Sequence, residues 1–266
     1  GGRTSMTYAE TDITATIERL GAPPLSTLTQ GQLDSFDQFH AGGPGAVERL
    51  IPGLQLDPGM TVLDVGSGFG GPARQIARTA GCQVVGVDIT ASYVEAARNL
   101  TAAANLLDRV HFVHSDLADF EETGFDAAYT MHVQMNVADK KAFFTEIARH
   151  LRPGGRLAVF EVCRGSATEP ATPLPWSLDG SDSFLATADQ LCDTIQASGF
   201  TPVEWVDEST WIRAWFDDLG RQLATGQASA ALPALLANGP THMLNFAIAV
   251  NTGAVTVHRG AFIVAP

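Results

Sequence analysis

The sequence has little cysteine, and the few cysteines it has are scattered. Three cysteines, Cys82, Cys163 and Cys192, occur in 266 residues, and no two of them form a CxxC pair. A disulfide framework or a thiolate metal site needs paired or closely spaced cysteines. We therefore expect a reduced, cytoplasmic protein without a metal ion.

Basic residues and long apolar runs are also scarce. The chain carries 16 Lys and Arg against 29 Asp and Glu, a formal net charge of −13. Nucleic-acid binding needs a basic face, so we expect no nucleic-acid partner. An acidic balance instead attracts cationic small molecules over distance. No apolar run is long enough to cross a bilayer and none resembles a secretory leader, so we expect no membrane partner.

What the sequence does have is a glycine-rich stretch at residues 62–74. An apolar run of β-forming residues breaks into a segment with four glycines and a serine, and a segment with helical spacing follows Pro72. This order predicts a strand, a tight loop and a helix. The spacing of Gly66, Gly68 and Gly71 also fits the dinucleotide-binding fingerprint, which by itself is a weak signal.

Two acidic residues refine this interpretation. Asp64 lies inside the end of the apolar strand, where a nicotinamide-binding sequence usually has only apolar residues. A carboxylate there can bind a cationic amino-acid head group or orient the loop that binds it. Asp88 ends the next apolar run about twenty residues later, where an acid can accept both ribose hydroxyls. Asp88 alone is compatible with either kind of cofactor.

Four motifs in order resemble class I S-adenosylmethionine-dependent methyltransferases. They are residues 63–70, residues 86–88, Ser115-Asp116 and residues 151–155, and the resemblance covers roughly residues 55–206. It implies an α/β fold with a Rossmann-like, seven-stranded, mostly parallel sheet, helices on both faces and an antiparallel last strand. It also implies S-adenosylmethionine as cofactor and S-adenosylhomocysteine as product.

The resemblance implies a set of cofactor-binding residues. The acid at position 116 is expected to bind the adenine amino group and the next apolar residue to contact the ring, although Asp116 could instead cap a turn. Gln38, in the segment before the core, is expected to face the methionine part of the cofactor or the substrate, with an ordinary connecting loop as the alternative for this segment. The predicted cofactor-binding residues are Gln38, Asp64, Gly66, Ser67, Gly68, Asp88, Ile89, Asp116, Leu117 and His132.

Candidate catalytic and substrate residues follow the ends of later strands. Ligands of open parallel sheets bind beyond the carboxyl ends of the strands, and His132 and Glu161 stand at two such ends. We predict both as catalytic, with a structural hydrogen-bonding role as the alternative for His132 and a structural ion pair as that for Glu161. The predicted substrate-binding residues are Phe39, His40, Asn136, Trp176 and Phe184, with core packing as the alternative for Trp176 and Phe184.

The chain is predicted to have two parts. Residues 1–57 are expected to form a helical N-terminal arm that folds over the cofactor cleft, and residues 58–266 the methyltransferase core. Within the core, residues 164–186 form a long loop of the kind that covers substrates. Residues 207–254 form a helical insertion whose aromatic stripe requires burial, against either the substrate pocket or a second copy of the chain.

The predicted function is methyl transfer to a small molecule. The last half resembles sarcosine/dimethylglycine-type, phosphoethanolamine-type and natural-product methyltransferases. N-methylation of an amine is the leading prediction, because acids such as Glu161 and the net charge favour cationic substrates. O- or C-methylation of a more apolar metabolite is the alternative. An NAD-dependent oxidoreductase and a non-catalytic scaffold subunit remain as further alternatives.

Overall fold

A computed structural model describes residues 40–166, 168–226 and 239–266. In this part of the chain, seven strands form one sheet. The strands are β1 Thr61–Val65, β2 Gln83–Asp88, β3 Val110–His114, β4 Phe125–Met131, β5 Leu151–Arg164, β6 Phe200–Asp207 and β7 Val255–Val264. The predicted arm up to Phe39, including Gln38, lies outside the described residues.

The strand order is β3-β2-β1-β4-β5-β7-β6. The first five strands in this row pair in parallel, and β7 pairs antiparallel with both β5 and β6. The predicted fold class is therefore confirmed. The chain order reverses between β1 and β4, and open α/β sheets bind ligands at the carboxyl ends of the strands beside such a switch point. The glycine-rich loop follows β1 at this switch point.

Helices cover both faces of the sheet. They are α1 Gly43–Leu54, α2 Gly71–Ala80, α3 Ala91–Ala103, α4 Lys140–His150, α5 Ala188–Ala197, α6 Ser209–Ala224 and α7 Gly239–Thr252. Successive residues of a strand point to opposite faces. Accordingly, Val62 of β1 packs into one apolar cluster with α1, α2, α3, α6 and α7, while Leu63 packs into a second cluster with α4 and α5.

Local sequence signals account for the ends of several helices. The Asp139 side chain accepts a hydrogen bond from the backbone N–H of Ala142 and so begins α4. Thr187 and Gln190 form a reciprocal capping box that begins α5. Pro72 stands in the first turn of α2, where its missing N–H leaves no hydrogen bond unmade.

The parts predicted around the core are closely joined to it. Helix α1, from the end of the predicted arm, packs on β5 and β7, and a Cβ atom at Gly53 would lie 2.9 Å from the Ala261 Cβ. The predicted insertion contains α6 and α7, which contact each other and β7. The division at residue 57 stays a prediction. None of the helices in the described ranges is long and apolar enough to cross a membrane.

Candidate active site

The glycine-rich loop takes a backbone shape that requires glycine. Gly66, Gly68 and Gly70 have φ angles of 77°, 53° and 84°, in the left-handed region that other residues rarely adopt. A Cβ atom on Gly66 would also lie 2.5 Å from a methyl carbon of Val133. The loop therefore packs directly against the segment that leaves β4, with no space for a side chain between them.

Asp64 is a buried carboxyl group next to this loop. Its side chain is 3% exposed, and the Tyr129 hydroxyl donates a hydrogen bond of 2.6 Å to its Oδ2. Burial raises the pKa of Asp64 to about 7, the Tyr129 hydrogen bond opposes this, and the charge of Asp88 adds to it. The same burial, with the charge of Asp64, raises the pKa of Tyr129 well above its ordinary value. A cation entering beside Asp64 would favour its ionised form.

Asp64 and the loop line a narrow cleft. The residues around it are His40, Asp64, Gly66, Ser67, Gly68, Phe69, Pro72, Tyr129 and Met131. The Ser67 hydroxyl is buried in this loop and has no hydrogen-bond partner among the described residues. Native proteins rarely leave a buried hydroxyl unpaired, so the Ser67 hydroxyl is suited to bond a ligand atom. A buried carboxyl, an unpaired hydroxyl and a glycine loop fit the ammonium and carboxylate of an amino-acid head group.

Asp88 supports the loop from the end of β2. Its Oδ2 accepts a hydrogen bond of 2.9 Å from the Gly68 N–H, and its Oδ1 accepts one of 2.9 Å from the Thr90 N–H. Burial raises its pKa, and these two bonds oppose the rise. The Thr90 side chain also donates to this carboxylate. A carboxylate has about four acceptor positions, so one remains for a ligand hydroxyl. The next residue, Ile89, is 50% exposed and available to a ligand.

Asp116 and Leu117 follow β3 on the same edge of the sheet. The Asp116 Oδ1 accepts a hydrogen bond of 3.2 Å from the Ala118 N–H, so the carboxylate caps a short 3-10 turn. Capping a turn is the role given above as the alternative to adenine binding. A capping carboxylate still has further acceptor positions free. Leu117 is buried. The adenine contact expected of this pair stays a prediction.

Both ring nitrogens of His132 are engaged. Its Nδ1 lies 3.0 Å from the Phe160 carbonyl oxygen, and its Nε2 lies 3.2 Å from the Ala41 backbone nitrogen. These partners place the proton on Nδ1, which donates to Phe160, and leave Nε2 accepting from Ala41. Burial lowers the pKa of His132 to about 3, and the neighbouring His40 contributes. His132 is thus neutral and has no free acceptor nitrogen. This fits a structural hydrogen-bonding role, the alternative to a catalytic one.

His40 joins the two sides of the cleft. Its Nε2 lies 2.8 Å from the Gly43 carbonyl oxygen, and its ring centroid lies 6.2 Å from that of His132. Burial lowers the pKa of His40 to about 4. The ring is therefore neutral at physiological pH and presents an uncharged wall beside Met131. The preceding Phe39, predicted to contact substrate, lies outside the described residues.

Glu161 is buried behind the loop that follows β4. Its carboxylate oxygens lie 3.2 and 3.4 Å from the Val133 backbone nitrogen, which donates to them. Burial raises the pKa of Glu161 to about 8, and the Lys140 ammonium opposes the rise. Glu161 does not line the cleft formed by the described residues. Since Val133 packs on Gly66, the arrangement makes Glu161 a positioning residue for the glycine-rich loop.

The predicted substrate loop is attached to the site through Asn136. The Asn136 side-chain amide donates to the carbonyl oxygens of Trp176, at 2.8 Å, and Asp182, at 3.2 Å. Trp176 is 4% exposed, and its indole N–H donates to the Ser183 hydroxyl. Phe184 is 40% exposed. Asn136 therefore fastens the loop, Trp176 packs inward, and Phe184 remains free to contact a ligand.

A group of packed aromatic side chains lies next to His132. We call Phe160, Trp176, Phe216 and Phe246 the aromatic cluster. The Phe246 ring centroid lies 5.1 Å from that of Trp176, 5.2 Å from that of Phe216 and 5.9 Å from that of His132. Phe160 stacks on the opposite side, with its centroid 5.8 Å from that of His132. The cluster joins the substrate loop, α6 and α7 in one wall.

Sequence reasoning missed three residues of this region. Tyr129 partners Asp64 because the register of β1 and β4 sets them opposite each other, which no local pattern predicts. Phe246 was assigned only to the insertion. Arg74 is fully buried beneath the loop, where it donates to the Phe69 carbonyl at 2.8 Å. Its signal was present, since it lies three residues before the buried Ala77 on the same helical face.

Comparison with known sequences identifies the domain that contains this cleft. Residues 63–159 match the family described as "Methyltransferase domain". Methyltransferase GfsG of Streptomyces halstedii is 36% identical over 144 residues, which cover 52% of this chain and 51% of that protein. Sterol 24-C-methyltransferase ERG6 of Saccharomyces cerevisiae is 40% identical over 108 residues, which cover 40% of this chain and 28% of that protein.

A solved structure agrees with the fold. Haemonchus contortus phosphoethanolamine N-methyltransferase 2, in complex with S-adenosyl-L-methionine, superposes with a TM-score of 0.73 at 17% identity, over 96% of this chain and 60% of that one. The chain matches about half the length of GfsG and 28% of the length of ERG6. The segment that matches this family, residues 63–159, contains the glycine-rich loop, Asp88 and Asp116.

Proposed function

We propose that this chain, built around a class I methyltransferase domain, transfers a methyl group from S-adenosylmethionine to a small molecule. The cleft at the switch point of the sheet carries the proposal. There the buried Asp64 carboxyl and the unpaired Ser67 hydroxyl stand beside a loop of left-handed glycines. A scaffold subunit that had lost its cofactor would have no need to keep these polar groups buried at a cost.

Each polar residue has a proposed role in holding the cofactor. Asp64, oriented by the Tyr129 hydroxyl, pairs with the ammonium of the methionine part. Asp88 accepts from a ribose hydroxyl with the oxygen lone pair that the loop leaves free, and Asp116 accepts from the adenine amino group. Glu161 acts indirectly, because it holds the Val133 backbone behind Gly66.

Positioning and water exclusion are the chain's main contributions to rate. When bound, S-adenosylmethionine supplies an activated methyl group on a sulfonium centre, and that positive charge disappears during transfer. A weakly polar wall suits such a change, because it does not favour the charged starting state. Phe69 and Met131 line the cleft and supply such a wall, while the aromatic cluster packs against His132 outside that lining. Good alignment of the two reactants is worth up to roughly 7–11 kcal/mol.

The acceptor predicted from sequence is an amine, with an apolar metabolite methylated on oxygen or carbon as the alternative. The described residues support the alternative better. Glu161, the acid offered for holding an amine, is bonded to Val133 and does not line the described cleft. Asp64 is the one acid among the described lining residues of the cleft, whereas Phe69, Pro72 and Met131 in the same lining are apolar. We therefore propose an apolar acceptor, methylated at oxygen or carbon.

In the conformation described, His132 is not suited to remove a proton from the acceptor. Its Nε2 accepts from the Ala41 N–H, and its pKa of about 3 makes it a weak base. We propose that His132 orients the segment between α1 and the cleft. It would take a proton only after that contact opens. A homo-oligomer contact through the insertion and a cytoplasmic location both stay predictions.

Calorimetry tests the cofactor and labelled transfer tests the acceptor. We expect S-adenosylhomocysteine to bind and NAD⁺ not to bind. Incubation with methyl-labelled S-adenosylmethionine and matched panels of phenols, terpenoid alcohols and primary amines should then label the first two classes. Binding of NAD⁺ alone would overturn the proposed function. Labelling of amines alone would leave methyl transfer in place but overturn the apolar acceptor.

A further inference from the structure

His40 brings an imidazole ring to the lining of the cleft, where it stands with Asp64 and Ser67. Its Nε2 lies 2.8 Å from the Gly43 carbonyl oxygen, and a carbonyl oxygen only accepts hydrogen bonds. The ring proton is therefore on Nε2. The other ring nitrogen, Nδ1, carries a lone pair, and no group within the described ranges donates a hydrogen bond to it.

The neighbouring His132 has the opposite arrangement. Its proton is on Nδ1, which donates to the Phe160 carbonyl, and its Nε2 accepts from the Ala41 N–H. The centroids of the His40 and His132 rings are 6.2 Å apart. In the part of the chain that the structure describes, His40 is thus the member of this pair that keeps a nitrogen lone pair for a ligand.

The other polar groups of the described lining are bonded or weakly basic. Asp64 accepts the hydrogen bond of the Tyr129 hydroxyl and is the proposed partner of the cofactor ammonium. Ser67 offers an uncharged hydroxyl in the glycine-rich loop. Burial lowers the pKa of His40 to about 4, and its bond to the Gly43 backbone opposes this. The ring is therefore neutral near pH 7, with no proton on Nδ1.

We propose that His40 is a catalytic residue whose Nδ1 takes the proton of a hydroxyl group on the methyl acceptor. The hydroxyl oxygen bonds the methyl carbon while the carbon–sulfur bond breaks and leaves its electron pair on sulfur. In the same step the hydroxyl proton moves to Nδ1, and the imidazolium later returns it to solvent. This inference rests on the proposed function and selects oxygen, rather than carbon, as the atom that is methylated.

A weakly basic imidazole is sufficient for this step. A hydroxyl oxygen that is forming a bond to a methyl carbon is far more acidic than a free hydroxyl, so its proton passes readily to a neutral nitrogen. One positive charge disappears from sulfur and one arises on His40, so the net charge of the cleft does not change. The enclosed site therefore gains no additional charge that it must stabilise. The bond from Nε2 to the Gly43 carbonyl strengthens when the ring becomes charged.

The first experiment determines the tautomers without any ligand. Two-bond ¹H–¹⁵N spectra of protein labelled with ¹⁵N-histidine distinguish a protonated ring nitrogen from one with a lone pair. We expect the proton on Nε2 of His40 and on Nδ1 of His132 near pH 7. Each ring is assigned by its loss from the spectrum of His40→Gln or His132→Gln. A His40 ring that is charged, or that carries its proton on Nδ1, would overturn the inference.

The second experiment measures labelled methyl transfer to two acceptors of similar shape at about pH 8. There 1-naphthol keeps its proton, whereas 4-nitro-1-naphthol is already ionised and needs no base. His40→Gln retains an N–H near the Nε2 position but removes the Nδ1 lone pair. We expect this variant to lower kcat about 100-fold for 1-naphthol and less than about threefold for the nitro compound, because only the first must lose a proton.

Binding of S-adenosylhomocysteine separates this inference from the proposed function. His40→Gln should bind it as tightly as the unmodified protein does. The matched control is His111→Gln, at an exposed histidine of β3, which should leave binding and both rates unchanged. An equal fall in kcat for both naphthols, or labelling of neither by a protein that binds S-adenosylhomocysteine, overturns the role of His40. Failure to bind S-adenosylhomocysteine would instead overturn the proposed function.

Discussion

Replacing Asp64 with Asn should remove a pH dependence from the stability of the fold. Burial raises the pKa of Asp64 from 3.8 to about 7. At about 1.4 kcal/mol per pKa unit, ionising it in the folded protein therefore costs roughly 4 kcal/mol more than in the unfolded chain. An asparagine side chain cannot ionise, and its amide oxygen can still accept from the Tyr129 hydroxyl.

The free energy of unfolding depends on pH because the folded state holds the Asp64 proton more tightly than the unfolded chain does. Between pH 3.8 and about 7 the folded state binds the Asp64 proton and the unfolded chain does not. The free energy of unfolding therefore falls as pH rises through this window, and the full penalty is present above it. From about pH 5.5 to about pH 8.5 the change is roughly 2 kcal/mol, since only about 1.5 pH units of the window remain. Glu161 contributes in the same direction but is present in both proteins, so it cancels in the difference.

Urea unfolding at several pH values measures this difference. The stability of Asp64→Asn relative to the unmodified protein should rise by roughly 2 kcal/mol across that range. Parallel pH curves for the two proteins would refute the reasoning, because they would mean that Asp64 is already ionised. Tyr129→Phe is the matched control. Losing the hydroxyl removes a hydrogen bond to the ionised carboxylate of Asp64. The pKa of Asp64, and with it the pH at which stability changes, should therefore move higher.

Cofactor binding reports on the same group. If the ammonium of S-adenosylhomocysteine pairs with Asp64, its charge favours the ionised carboxylate and binding releases a proton near neutral pH. Calorimetry at about pH 7 in buffers with different ionisation enthalpies should detect this release, and Asp64→Asn should abolish it. An equal release in both proteins would assign the proton to another group.

Two further predictions concern the loop. Asp88→Ala should weaken S-adenosylhomocysteine binding by about 1–3 kcal/mol, because it removes a charge-assisted acceptor, whereas Asp139→Ala, which removes the cap of α4, should leave binding unchanged. Equal affinities for the two variants would contradict the ribose role. Gly66→Ala should destabilise by about 1–2 kcal/mol from its positive φ and by about 1–3 kcal/mol more from the contact with Val133, whereas Gly59→Ala, with positive φ but open space, should show only the first cost in urea unfolding.

Much of the fold could be predicted because its signals are local. The apolar run that ends in glycines predicted β1, the loop and α2, and the structure contains all three in that order. Strand β5 begins at Leu151, inside the motif at residues 151–155, because Leu151 pairs with Phe125 across an irregularity in the register. Such pairing depends on the neighbouring strand, which local propensity does not describe.

The sequence by itself determined the order of strands and helices, the glycine loop and the acids that surround it. These follow from periodicity, from backbone angles that only glycine adopts readily and from spacing along the chain. Only the tertiary structure decided what each polar group contacts. Strand register paired Tyr129 with Asp64, and the Val133 backbone N–H bonded the Glu161 carboxylate. Partners far apart in sequence meet only when the sheet assembles, so their chemistry is a property of the packed fold.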